Sequence, residues 1–134
     1  MKGHARNMMS ERVVAVARQT SLEAVARDLI AARVTGVTVV DDDERVVGFV
    51  SEADLMGALL ARGRAEGTAA DIMSTKVVVI DEFAPSEEVM TLFRENRIHN
   101  LPVVRDGRLV GLITPRDVLR YFVDHVLPPA PEVG

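Results

Sequence analysis

The 134-residue chain contains no cysteine. That excludes disulfides, thiolate zinc sites, iron–sulfur ligation and cysteine nucleophiles. Also missing is any apolar run approaching the roughly 20 residues that span a bilayer, and Met1 to Ser10 lacks the apolar stretch of a secretion signal. The expected setting is therefore the cytoplasm, without a membrane anchor. Basic charge is in short supply: the formal net charge is −4, which argues against nucleic-acid binding, because that rests on a basic surface neutralising phosphates. A local basic pocket for one small anion stays compatible with it. The three histidines, His4, His99 and His125, are scattered without His-x-x-x-His spacing, so no metal site is expected. There is no glycine-rich phosphate loop ending in lysine, no Gly-x-Ser-x-Gly, and no plausible trio of nucleophile, base and orienting residue. The chain reads as a non-enzyme. What it does have is 48% hydrophobic and 27% charged residues, the composition of a folded protein with a core to build.

The sequence repeats itself. Met9-Ser10 returns as Met73-Ser74, Val13-Val14 as Val77-Val78, Glu23 as Glu87, Val25 as Val89, Arg33 as Arg97 and Val39-Val40 as Val103-Val104, each 64 residues later. Beyond the acidic stretch Asp41 to Glu44 the offset falls to 63, matching Gly48 to Gly111 and Asp54 to Asp117. One deletion in a hairpin turn accounts for that, since turns tolerate length changes better than packed elements do.

Each copy reads strand, helix, strand, strand, helix. Val13 to Val16 and Val77 to Ile80 are short β-branched runs that predict strands. Thr20 or Ser21 can cap a helix running through Ala32, and Pro85-Ser86 can open its counterpart, in which Val89, Met90 and Phe93 form the apolar stripe. Val37–Val40 with Val46–Val50, and Leu101–Val104 with Leu109–Ile113, predict hairpins around turn-forming residues. Terminal helices are expected from about Glu52 to Ala61 and from Pro115 to about Leu127. The expected organisation is a first repeat over 7–61, a linker over 62–70 holding Gly63 and Gly67, a second repeat over 71–127, and a loose tail over 128–134. Asp41-Asp42-Asp43-Glu44 lacks the spacing and glycine of a calcium loop and suits a solvated turn.

Each hairpin ends in Gly-Phe-Val-Ser-Glu-Ala-Asp (Gly48–Asp54) or Gly-Leu-Ile-Thr-Pro-Arg-Asp (Gly111–Asp117). A hydroxyl three residues ahead of a carboxylate is a helix capping box, a purely structural device that Pro115 in the first turn also favours. The same helix start presents unsatisfied N–H groups and the positive end of a dipole, where a phosphate can sit. A carboxylate there can accept from both vicinal hydroxyls of a ribose. The two readings are compatible.

With these motifs the chain resembles the cystathionine-β-synthase (CBS) domain family, over about residues 7 to 127. Asp71-Ile72-Met73 and Ile98-His99-Asn100-Leu101-Pro102-Val103-Val104 are further family-like pieces. The resemblance implies an α/β (α+β) fold, a tandem pair of β-α-β-β-α repeats related by pseudo-twofold symmetry, with two clefts for adenosine-type ligands. Carried over by position, Asp54 and Asp117 would clamp ribose, and Ser51, Thr114 and Arg116 would meet sugar or phosphate. The Asp117 cleft would take adenine between Val14, Val34, Thr35, Leu112 and His99; the Asp54 cleft would use Val78, Ile98, His99 and Phe49. Arg116, where the other copy has Ala53, would make the Asp117 cleft the tighter one for a phosphorylated ligand.

The function so implied is a regulatory module sensing AMP, ADP or ATP, with no cofactor, that acts by conformational change on itself or on an effector protein. Its alternatives are a ligand-free dimerisation module, whose motifs only cap helices, and a sensor of S-adenosylmethionine. A nucleotide hydrolase or transferase is a third, disfavoured by the missing catalytic trio. A homodimer is expected because Leu55, Met56, Leu59 and Leu60, with Val118, Leu119, Phe122, Val123 and Val126, offer more apolar surface than one small sheet needs.

Overall fold

A computed structural model describes residues 3–63 and 66–131. Part of the expected linker (64–65) and of the expected tail (132–134) lies outside the described residues. In order, the elements are α1 (Ala5–Met8), β1 (Ala15–Ala17), α2 (Leu22–Ala32), β2 (Gly36–Val40), β3 (Val46–Ser51) and α3 (Glu52–Arg62), then α4 (Ala69–Ile72), β4 (Ile80–Asp81), α5 (Ser86–Glu95), β5 (Leu101–Arg105), β6 (Arg108–Ile113) and α6 (Pro115–His125). Two three-stranded sheets result, ordered β1-β2-β3 and β4-β5-β6. In each, the first strand runs parallel to the middle one and the hairpin is antiparallel. The predicted repeat is the observed one, a mixed α+β unit used twice.

Local chemistry explains the helix ends. Ser21 accepts from the Ala24 N–H at 3.1 Å and starts α2, while Arg33 closes it in the left-handed region at φ 56°. Pro85 precedes α5, and Asn96 ends it by donating its side-chain amide to the Leu92 carbonyl at 2.9 Å. The first strand of each repeat is shorter and later than its valines suggest. Val13-Val14 and Val77-Val78 precede the strands and line cavities, although the Val14 carbonyl still accepts from the Thr38 N–H at 3.1 Å. The β-branched signal there marks apolar walls as well as strands.

The short helices α1 and α4, not anticipated from the sequence, tie the halves together by exchange. Ala69 in α4, with Ile72 and Met73, completes the first repeat's core around Leu22, Val25, Val37, Val39 and Val50. Ala5 and Met8 in α1, with Met9, complete the second repeat's core around Val89, Leu101, Val103 and Ile113. Backbone pairing follows the same reciprocity: Ala5 N–H donates to Ala84 O, and Ala69 N–H to Thr20 O, both at 2.8 Å. Beyond the helices, Ser10 bridges Leu112 on β6 while Ser74 bridges Phe49 on β3, each pair exchanging two backbone hydrogen bonds of 2.8–3.0 Å. Hence the glycine that opens each motif. A Cβ at Gly48 would run into the Met73 side chain, and one at Gly111 into Met9 and the Ser10 carbonyl.

Candidate functional site

Because the two arms, the segments 5–14 and 69–78 that begin with α1 and α4, cross to the opposite repeat, the two hairpins face one another and their ends border a cavity of about 780 Å³. Its wall is nearly self-symmetric. Arg33, Val34 and Thr35 are answered by Arg97, Ile98 and His99; Phe49 by Leu112; and Ser51, Glu52 and Ala53 by Thr114, Pro115 and Arg116. The second arm adds Ser74, Lys76, Val77 and Val78. The matching first arm, from Ser10 to Val14, lines a separate cavity of about 430 Å³ together with Ala32 and Val34. Gly36 lets the Phe49 ring lie across β2, since a Cβ there would overlap the ring. Asn100 donates to Thr35 Oγ1 at 3.5 Å, joining the halves beside the cavity.

Of the residues singled out from the sequence, Val34, Thr35, Phe49, Ser51, Val78, Ile98, His99, Leu112, Thr114 and Arg116 come together in the larger cavity. Residues assigned to two clefts thus share one wall. Val14 lies in the smaller cavity, which Val34 also borders. Asp54 and Asp117 line neither; each sits one residue beyond the wall.

The two helix starts differ in detail. At α6 the Thr114 N–H and Oγ1 donate to Asp117 Oδ2 at 2.8 and 2.9 Å, and Arg120 donates to Oδ1 at 3.0 Å. Asp117 is 6% exposed, with both oxygens engaged. At α3 the Ser51 hydroxyl accepts from the Asp54 N–H at 3.1 Å, but nothing reciprocates. The Asp54 side chain is exposed and has no hydrogen-bond or ionic partner among the described residues. At N2 of these helices the Ala53 and Arg116 N–H groups are likewise without a partner among the described residues. These are the orphan donors of a helix start, aimed along a dipole that favours anions.

Sequence reasoning found Arg116 but missed three other cations on the wall, Arg33, Lys76 and Arg97. The recurrence of Arg33 as Arg97 was the available signal. Among the described residues no group of three or more His, Cys, Asp or Glu side chains converges as a metal site would, and no helix is long and apolar enough to cross a membrane.

Comparisons with known proteins agree with this architecture. CBSX2, solved in complex with AMP, superposes with a TM-score of 0.79 at 27% identity, over 90% of this chain and 96% of its own. The CBS domain pair of protein MJ0100, solved with 5-methylthioadenosine and S-adenosyl-L-methionine, gives 0.79 at 25% identity over 91% and 97%. Hypoxic response protein 1 of Mycobacterium tuberculosis is 26% identical over 125 residues, 92% of this chain and 87% of that protein; Hypoxic Response Protein I, solved with two coordinated zinc ions, gives a TM-score of 0.76. Inosine-5'-monophosphate dehydrogenase of Thermoplasma acidophilum is 36% identical over 109 residues, but the match spans only 21% of that enzyme. The family model of the CBS domain matches twice, over residues 5–61 and 69–124. With two such matches over most of its length, the chain belongs to the CBS domain family as a tandem pair.

Proposed function

We propose that this CBS pair is a regulatory sensor of an adenine nucleotide, AMP, ADP or ATP, bound in the cavity that both repeats wall. One observation carries the reading: the two orphaned helix starts, at Ala53 and Arg116, open onto one cavity whose remaining wall combines apolar strand ends with the cations Arg33, Lys76 and Arg97. Phosphate oxygens meet the helix starts, with Ser51, Thr114 and Arg116 beside them. The base lies between Val34, Thr35, Phe49, Val78, Ile98, His99 and Leu112, while Val14 serves the smaller cavity. Asp54 accepts from ribose directly; Asp117 must first exchange its Thr114 bonds for those of the sugar. Ligands seen in structural neighbours, AMP in one and S-adenosyl-L-methionine with 5-methylthioadenosine in another, support the adenosine class.

The module breaks no bond. A ligand touching both repeats favours one relative arrangement of them, and that shift is read by a partner protein in the cytoplasm or by a second copy of the chain. For the second copy the surface is at hand. Met56 and Leu60 on α3, and their counterparts Leu119 and Val123 on α6, are all more than half exposed. Nucleic acid and membrane have no part in this reading.

Titration calorimetry with AMP, ADP, ATP and S-adenosylmethionine, on material whose mass is set by light scattering, tests it. Micromolar binding of at least one adenine nucleotide by a dimer is expected, weakened about tenfold in Arg116→Ala by loss of a charge-assisted bond. Binding of S-adenosylmethionine alone would install the sulfonium sensor instead. If a dimer bound none of the four, the chain would be a dimerisation scaffold.

A further inference from the structure

We infer that the shared cavity selects a polyphosphate chain, so that its ligand is a nucleoside triphosphate rather than a monophosphate or a sulfonium; this rests on the adenine-nucleotide reading above. Four cationic side chains, Arg33, Lys76, Arg97 and Arg116, line the cavity against a single carboxylate, Glu52. They come from four separate places: the ends of α2 and α5, the second arm, and the start of α6. The charge is therefore contributed by both repeats.

Three cations elsewhere on this molecule are ion-paired, whereas others, Arg12, Arg45 and Arg108 among them, have no ion pair or side-chain hydrogen bond among the described residues. Arg27 pairs with Glu23, Arg105 with Glu82 and Arg120 with Asp117. None of the four at the cavity has an ion pair or a side-chain hydrogen bond among the described residues. Like charges gathered around one concavity create a positive potential that draws in an anion of matching charge. One phosphate group carries about −1.5 to −2, which leaves half of these cations uncompensated. A triphosphate brings more negative charge, spread over three groups, to the set, and a sulfonium adds a further positive charge to it. Arg33 and Arg97, being repeat-related, stand on either side of the pseudo-twofold axis and can hold the chain from both flanks.

The test is calorimetry on the full chain with ATP, AMP and inorganic tripolyphosphate, comparing the parent with Lys76→Gln and with the double variant Arg33→Gln/Arg97→Gln. All three residues are exposed, and a thermal melt checks that folding is unaffected. The expected result is ATP at least about tenfold tighter than AMP in the parent, tripolyphosphate competing with ATP, and the double variant reducing the ATP preference to within about twofold. Equal affinity for AMP and ATP, or a preference untouched by the double variant, overturns the inference and leaves the adenine-nucleotide reading standing. Tripolyphosphate binding without any nucleotide binding supports the polyphosphate site and defeats the adenine reading instead. Failure of all three anions to bind overturns both.

Discussion

The motif that opens α3 and the one that opens α6 share a design and have been put to different use. In the second repeat, threonine, proline and aspartate close a full capping box, and the carboxylate is buried with three donors on it. In the first, serine caps in one direction only and its aspartate stands exposed. A shared sequence pattern therefore fixes where a carboxylate is placed, but not whether it is free. That depends on the neighbours: Arg120 one turn along α6 holds Asp117, whereas the residue aligned with it in α3 is Gly57.

The largest expected effect breaks this comparison at its centre. Asp117→Ala should cost about 2–3 kcal/mol, since it removes charge-assisted bonds from a nearly buried cap; Asp54→Ala should stay within about 0.5 kcal/mol, as exposed substitutions do. Urea unfolding of both variants measures this, and equal losses would mean that the caps are equivalent. Ligand titration then sharpens it, because Asp54→Ala should lower nucleotide affinity at unchanged stability.

Next comes the pair of motif glycines. Gly111→Ala meets a methionine and a backbone carbonyl among its nearest atoms, whereas the nearest atoms to Gly48→Ala all belong to a methionine that can turn aside. Overpacking of this kind costs about 1–3 kcal/mol, with Gly111→Ala at the upper end and Gly48→Ala at the lower. Melting temperatures in the reverse order would show that the arms yield differently from the way the contacts imply.

The smallest effect lies in acid. At equivalent positions the second repeat has Glu82 with Arg105, at 2.5 Å, and the first has Arg18 with Asp41, the charges interchanged. The Arg105 guanidinium bonded to Glu82 holds its carboxyl below the ordinary glutamate range, and the backbone N–H of Arg45 is the largest cause of the same lowering at Asp41. A carboxyl lowered by folding stabilises the fold at pH values above its unfolded value, about 4.3 for glutamate, and loses that contribution as pH falls through the lowered one. Melting temperature followed from pH 7 down to pH 3 should therefore drop less steeply for Glu82→Gln than for the parent. Asp41→Asn should flatten the curve less, because its carboxyl is only half-buried.

How much of this was legible in advance follows from what each feature depends on. The duplicated hairpins and long helices show in the sequence because period and turn chemistry are local. So do the helix caps at Ser21, Ser51 and Thr114. The exchanged helices do not: Ala5–Met8 and Ala69–Ile72 make barely one turn each, too short for a period, and their partners lie in the other repeat. That residues expected in two clefts line one shared wall, with Val14 in a second cavity, follows from that exchange and was invisible for the same reason. Arg33, Lys76 and Arg97 went unnoticed as a group because only tertiary structure brings helix ends and an arm to one wall.

The exchanged arms also set an order of events during synthesis. The first repeat cannot complete its core when residue 63 leaves the ribosome, since Ala69 and Ile72 are still to come. Residues 5–9 wait longer, until the β6 strand ending at Ile113 and the helix after it have been made. Until then the nascent chain carries an apolar segment, with Met8 and Met9 exposed, that has no docking site of its own. Residues 5–9 are thus made before the rest of their core and buried after it, so a chain stalled midway presents that segment to any neighbouring chain whose second half is finished.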